Sequence, residues 1–158
     1  MKPLKSKRFL IKEFDLKYVN YNYLDWFKDS KNKFIVNKFI SIKKLKEYAE
    51  TQILDKRIYF LSIHDLKNKI HIGNIKLNKE NSKTFTLGVL IGNSNYQGKG
   101  VFCEVFLILK KWITKETKIK KLRAGVATDN IYSISAFLKC GFKPVSKNSK
   151  KITYEIKF

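Results

Sequence analysis

The residues best placed to do chemistry are Asn95-Tyr96-Gln97-Gly98-Lys99-Gly100-Val101-Phe102-Cys103-Glu104, a glycine-rich turn between an apolar run and an amphipathic one. Thr84 to Ile91 is rich in β-branched and aromatic residues and stops at Gly92, so it reads as a strand. From Val101 onward, Val105, Ile108, Leu109, Trp112 and Ile113 recur at helical spacing, with Glu104, Lys110 and Lys111 on the other side. Strand, turn and helix in that order expose the unpaired N–H groups and the positive dipole end of the helix's first turn. Gly98 and Gly100 carry no Cβ to obstruct an anion, and Lys99 adds a mobile positive charge, so the chemistry implied is phosphate binding. The spacing is neither Gly-x-x-x-x-Gly-Lys-Ser/Thr nor Gly-x-Gly-x-x-Gly, and a turn of this length also serves as a plain connection.

Gln97-Gly98-Lys99-Gly100-Val101-Phe102 resembles the Gln/Arg-x-x-Gly-x-Gly/Ala motif of the GCN5-related N-acetyltransferase (GNAT) family, with Phe102 in place of the final small residue. Asn130-Ile131-Tyr132-Ser133-Ile134-Ser135-Ala136-Phe137-Leu138-Lys139-Cys140-Gly141-Phe142 is similar to that family's Asn-x-x-Ala/Ser-x-x-x-Tyr-x-Lys-x-Gly-Phe and follows in the right order. Two motifs in sequence are far more specific than either alone. Tyr23-Leu24-Asp25-Trp26-Phe27-Lys28-Asp29 also resembles a segment of the branch that contains ribosomal-protein and amino-sugar acetyltransferases.

The resemblance implies acetyl transfer from acetyl-CoA to an amine. It assigns the pyrophosphate to the amides of Gln97, Gly98, Lys99, Gly100, Val101 and Phe102, and the pantetheine arm and thioester carbonyl to the main chain at Leu90, Ile91 and Gly92, an oxyanion-type contact. Asn130 and Ser133 are further coenzyme contacts, and Trp26 and Asn74 fall on the acceptor side. The position of the family's tyrosine acid holds Phe137, which has no proton to give, and the usual strand acid is replaced by Thr86. His71 is the candidate base, since an unperturbed imidazole titrates in the useful range. Glu104 ranks below it because an acid in a helix's first turn answers the dipole, and His64 reads as a solvated turn residue.

The elements that must position these groups follow from the pattern. Phe9 to Ile11 starts a first strand, and Tyr18 to Phe39 is a helix-prone, aromatic-rich run broken near Asp29-Ser30, with a helix packed against the sheet expected within it. Ser41 caps a helix carrying Ile42, Leu45, Tyr48, Ala49 and Ile53. Ile58–Ile63, Ile70–Leu77 and Thr84–Ile91 are three strands joined by short, turn-rich links and therefore antiparallel. Ile119 to Ala127 and Ile152 to Ile156 supply two more. The expected architecture is α/β: a GNAT fold over residues 1–158 as one domain, with a mostly antiparallel sheet of six to seven strands, flanked by helices and splayed between the family's fourth and fifth strands.

Composition narrows the partners. The formal charge is +21, but only Arg8, Arg57 and Arg123 among 34 basic residues are arginines, so solvated lysine faces rather than a base-reading surface are expected, and nucleic acid is not the expected partner. A positive field of this kind gathers polyanions and repels polyamines. Met1 to Arg8 is basic with no hydrophobic block after it, and no apolar span is long enough for a membrane, so a cytoplasmic location is expected. Cys103 and Cys140 are too few for a disulfide framework, and no metal is expected. The acceptor expected first is the amine of a nucleotide-linked amino sugar, because Ile72-Gly73-Asn74-Ile75-Lys76-Leu77 also resembles bacterial surface-sugar acetyltransferases. A protein N-terminus is the alternative, a non-catalytic acyl-CoA binder is an alternative of another class, and a homodimer is left open.

Overall fold

In the computed structural model, which describes residues 1–158, the chain forms one eight-stranded sheet with four helices. β1 (Leu4–Lys5) and β2 (Phe9–Glu13) lead into α1 (Tyr21–Asp25) and α2 (Ile42–Leu54), then into β3 (Ile58–Asp65), β4 (His71–Asn81) and β5 (Thr84–Ile91). After these come α3 (Val101–Glu116), β6 (Lys121–Ala127), α4 (Ile131–Lys139), β7 (Lys143–Lys147) and β8 (Lys151–Lys157). The strand order is β1-β2-β3-β4-β5-β6-β8-β7, one or two strands more than the six to seven expected. The additions are the two-residue β1 and the exposed edge strand β7, where Pro144 is tolerated because no further strand follows.

Every neighbouring pair is antiparallel except β5 and β6. Those two run parallel and pair only through Thr84–Thr86 against Lys121–Arg123. Beyond Thr86, β5 continues to Ile91 with no partner on that side, so the sheet opens into a V between the elements that carry the two motifs.

Period-two burial decides which helices cover which face. On β3, Leu61 and Ile63 join the large core shared with Val105, Phe106, Leu109 and Ile113 of α3, while Phe60 joins Phe14, Tyr23, Leu24, Trp26, Leu45 and Ala49 on the other face. Each large apolar side chain enclosed this way contributes about 1.5–3 kcal/mol relative to exposure, so the two clusters hold the helices to the sheet.

The helix-prone run Tyr18 to Phe39 breaks at Asp29–Ser30 as expected, but ahead of that break only the short α1 is α-helical. Asp15, Asn20 and Asp29 each accept a hydrogen bond from a backbone N–H two or three residues ahead, so three short turns start separately: Leu16–Tyr18, α1 and Ser30–Asn32. These side chains satisfy the backbone locally in competition with a continuous helix. The broken path lets Tyr23, Leu24 and Trp26 all reach one cluster. Ser41 does cap α2 through Lys44 N.

Candidate active site

The glycine turn takes the form its sequence requires. Gly98 and Gly100 both have φ of 72°, a left-handed conformation that favours glycine, and Gly100 begins α3 without any side-chain cap. The first intrahelical bond runs from Glu104 N to Gly100 O, and the six amides from Gly98 to Cys103 have no partner. Six consecutive free N–H groups with the α3 dipole behind them make an anion cradle. Arg8 braces it from the N-terminal hairpin: its Nη2 donates to Lys99 O at 3.0 Å while its Nε donates to Glu104 Oε2 at 2.7 Å. Burial alone would raise the Glu104 carboxyl, but the Arg8 amide and guanidinium and the Ser6 hydroxyl outweigh it and hold the carboxyl below its usual range.

Phe102 leaves the cradle open. Its ring lies 5.6 Å from Phe106 and 4.8 Å from Phe137, centroid to centroid, and Phe137 in turn contacts Phe142 at 4.9 Å. The ring is therefore anchored between α3 and α4 while its amide faces the turn. Phe137 is buried in the same aromatic cluster with no polar group of its own to offer.

Gln97 turns its carboxamide inward, donating to Ile91 O and to Asn32 Oδ1, both at 2.8 Å. Asn32 is buried and donates from Nδ2 to Trp26 O and Gly92 O, both at 2.9 Å. Thus the end of β5 is already tied internally at Ile91 O and Gly92 O. Gly92 N donates to Ile72 O. Gly92 is obligatory, because a Cβ there would lie 1.9 Å from Cε3 of Trp26. Asn130 caps α4 by accepting from Ser133 N at 3.2 Å, so these two residues hold each other at the start of that helix. Thr86 is exposed, opposite Asn78 and Arg123.

His71 is positioned by a β-bulge. Ile63 faces Gly73 and His64 faces His71, which leaves Ile72 without a cross-strand partner. The extra residue brings His71 onto the face occupied by Asn74, and the freed Ile72 carbonyl accepts from the amides of Gly92 and Asn93. His71 Nε2 lies 3.1 Å from Gly73 O and 2.8 Å from Asn74 Oδ1. A backbone carbonyl can only accept, so Nε2 carries the proton and Nδ1 is bare. The same reasoning orients Asn74, whose Nδ2 is buried without a partner. Burial pushes the His71 imidazole down to about 4, so it is neutral near pH 7 and does not titrate in the range of a free histidine.

His64 is buried, not solvated as its place near a turn suggested, because β3 runs on to Asp65 and carries it inward against Tyr18, 4.6 Å between rings. Burial, aided by the nearby His71, Lys12 and Lys17, lowers it to about 4. Tyr23, whose phenol is pushed up by burial, packs against Trp26 and His71.

These groups border a cleft of about 560 Å³ lined by Tyr18, Asn20, Asn22, Tyr23, Asp25, Trp26, Asp29, Lys69, Ile70, His71, Gly92, Asn93 and Ser94. The structure thus brings Trp26, His71 and Gly92 to one cleft, sets Asn74 behind them, and places the Gly98–Cys103 amides at the far end of the same β5-to-α3 connection. Asn20, Asn22, Asn32 and Asn93 carried no motif, and in a chain so rich in asparagine their residue type is no signal. No group of three or more metal-ligating side chains occurs, and no helix is long and apolar enough to cross a membrane.

The family model of the acetyltransferase (GNAT) domain matches residues 8–143, spanning both motifs and the splayed strands. The chain belongs to the GNAT family. It is an acetyltransferase domain of the kind that uses acetyl-CoA. Among solved structures, this GNAT chain is similar to a GNAT-family acetyltransferase from Bacillus anthracis, with 19% identity, 98% of each chain covered and a TM-score of 0.83. It is also similar to the ribosomal-protein-alanine acetyltransferase of Vibrio fischeri, with 11% identity, 99% of this chain and 97% of that chain covered, and a TM-score of 0.79. A third similar structure is FdhC, a nucleotide-linked sugar GNAT, with 19% identity, 98% and 89% covered, and a TM-score of 0.79. At these identities the likeness is one of fold. No curated protein matches the chain by sequence.

Proposed function

We propose that the chain transfers the acetyl group of acetyl-CoA to the primary amine of a nucleotide-linked amino sugar. The lining of the cleft carries the acceptor class. Tyr18 is half-exposed and offers an aromatic face to a sugar ring, backed by the buried Tyr23 and Trp26, and Asn20, Asn22, Asp29, Asn93 and Ser94 offer short polar side chains suited to hydroxyl groups. Lys69, the sole non-glycine residue at positive φ (57°), stands at the rim where a nucleotide's phosphates can be met. The likeness of fold to a nucleotide-linked sugar GNAT supports the same acceptor.

The coenzyme supplies an activated acetyl thioester. On this reading the amides of Gly98 to Cys103 hold its pyrophosphate, Lys99 adds charge, and the stretch of β5 toward Leu90 and Ile91 that β6 does not pair, with Ile91 O held by Gln97, aligns the arm. Asn130 and Ser133 border that arm from the start of α4. Trp26, packed directly on Gly92, shapes the wall of the acceptor cleft, and Asn74 fixes the His71 ring. The bare Nδ1 of His71 accepts the proton that the amine loses on attack; Phe137 donates nothing, so the thiolate leaves without a dedicated acid. A cytoplasmic setting, where acetyl-CoA and nucleotide sugars coexist, suits this reaction.

Thiol release from acetyl-CoA, measured against nucleotide-linked amino sugars, peptides with free N-termini and spermidine, tests the acceptor. Turnover is expected with an amino sugar. Turnover confined to peptides would transfer the assignment to protein N-termini, a substrate class represented among the structures of similar fold.

A further inference from the structure

We propose that Cys103 and Cys140 form a site of reversible intramolecular thiol–disulfide exchange that clamps α3 to α4. The two cysteines are 37 residues apart in sequence, yet Cys140 Sγ lies 2.8 Å from Cys103 Sγ. Both are free thiols and both are half-exposed, so a small oxidant reaches them. Cys103 Sγ also faces Ala136 O at 3.8 Å, which fixes its rotamer toward α4. A disulfide needs the sulfurs to close by less than ~1 Å, a movement the rotation of two side chains supplies.

The placement gives the bond a structural consequence. Cys103 sits in the first turn of α3 directly after Phe102, and Cys140 ends α4 three residues after Phe137. The bridge therefore duplicates covalently the packing contact of Phe102 on Phe137. It closes a long loop containing β6 and α4, and cross-links of that length stabilise by restricting the unfolded chain. The inference is independent of the acceptor and of the coenzyme.

With a low-molecular-weight disulfide such as oxidised glutathione as oxidant, the exchange balances. The Cys103 thiolate attacks one sulfur of the oxidant and expels the first thiolate, giving a mixed disulfide. Cys140 then attacks the Cys103 sulfur and expels the second. The protein loses two hydrogens and the oxidant leaves as two thiols. Burial and the neighbouring sulfur push the Cys140 thiol up.

The test treats the reduced full chain with oxidised glutathione and reads intact mass, non-reducing peptide maps and melting temperature. The expected product is monomeric, lacks two hydrogens, contains a Cys103–Cys140 bridged peptide, and melts roughly 5–15 °C higher than the reduced form. The Cys140→Ser variant should stop at a single glutathione adduct on Cys103, and Cys103→Ser should form no bridged peptide. A wild-type chain that keeps glutathione on either cysteine without bridging would overturn the proposal. So would a native chain whose thiols stay unreacted under conditions that oxidise the urea-unfolded chain, or a bridged chain that melts no higher than the reduced one.

Discussion

Gln97 Nε2 donates to Asn32 Oδ1 at 2.8 Å, a bond between the glycine-rich turn and a three-residue turn 65 positions earlier in the chain. Through its other atom, Asn32 holds Trp26 O and Gly92 O. One buried carboxamide thus sets the acceptor cleft in register with the turn that begins α3. Replacing it with Ala leaves two buried carbonyls, Trp26 O and Gly92 O, unpaired and removes one of the two bonds of Gln97 Nε2, and Asn32→Ala is expected to cost about 2–4 kcal/mol of stability, measured by urea unfolding. It should also raise the KM for both substrates, which a change confined to one site would not do.

Gly92 tests the cleft's shape. A methyl group there meets the rigid indole of Trp26 rather than a flexible chain end. Gly92→Ala should displace Trp26 and lower acceptor kcat/KM at least about tenfold, while acetyl-CoA binding changes much less.

Phe102 separates side chain from main chain. Its ring belongs to the cluster with Phe106 and Phe137, and its amide belongs to the turn. Phe102→Ala is expected to lower stability by about 2–4 kcal/mol and leave acetyl-CoA affinity within about threefold of the parent, as read by calorimetry on the folded variant. Arg8→Met should do the reverse in affinity, weakening coenzyme binding about three- to tenfold, because the guanidinium braces Lys99 O and adds positive charge beside the turn.

The two histidines make stability depend on pH in a definite direction. Both are lowered to about 4 in the folded chain and titrate near about 6.5 when unfolded. Between those values the unfolded chain binds more protons. Their contribution is therefore complete above about pH 6.5 and is lost as pH falls toward 4. Urea midpoints at pH 7, 6 and 5 should decline in that order, and His71→Gln should flatten the decline. The same values predict that the rise of kcat/KM between pH 6 and 9 follows the ionisation of the acceptor amine and not of His71.

Much of the fold was legible because its signals are local. Thr84–Ile91 has the bounds its β-branched run implies, Ser41 caps α2, and the glycines at 98 and 100 adopt the positive φ that marks such a turn. In the aromatic stretch after Tyr18 the break at Asp29-Ser30 was legible, but the shortness of α1, which Asn20 caps and which ends at Asp25, was not, because aromatic density looks helical. His71 was found by residue type, but its neutrality was not: that depends on a bulge at Ile72, which has no sequence signature, and on burial by aromatic rings from distant segments. Asn32, Arg8 and the meeting of Cys103 with Cys140 depend on tertiary proximity alone.

Backbone amide NMR during titration with acetyl-CoA tests the proposal that the Gly98–Cys103 amides hold the coenzyme's pyrophosphate. Saturable binding is predicted, with the largest amide shifts at Gly98 to Cys103 and smaller ones near Ile91 and Asn130. Saturation that leaves the Gly98–Cys103 amides unmoved, or no binding at all, would contradict it.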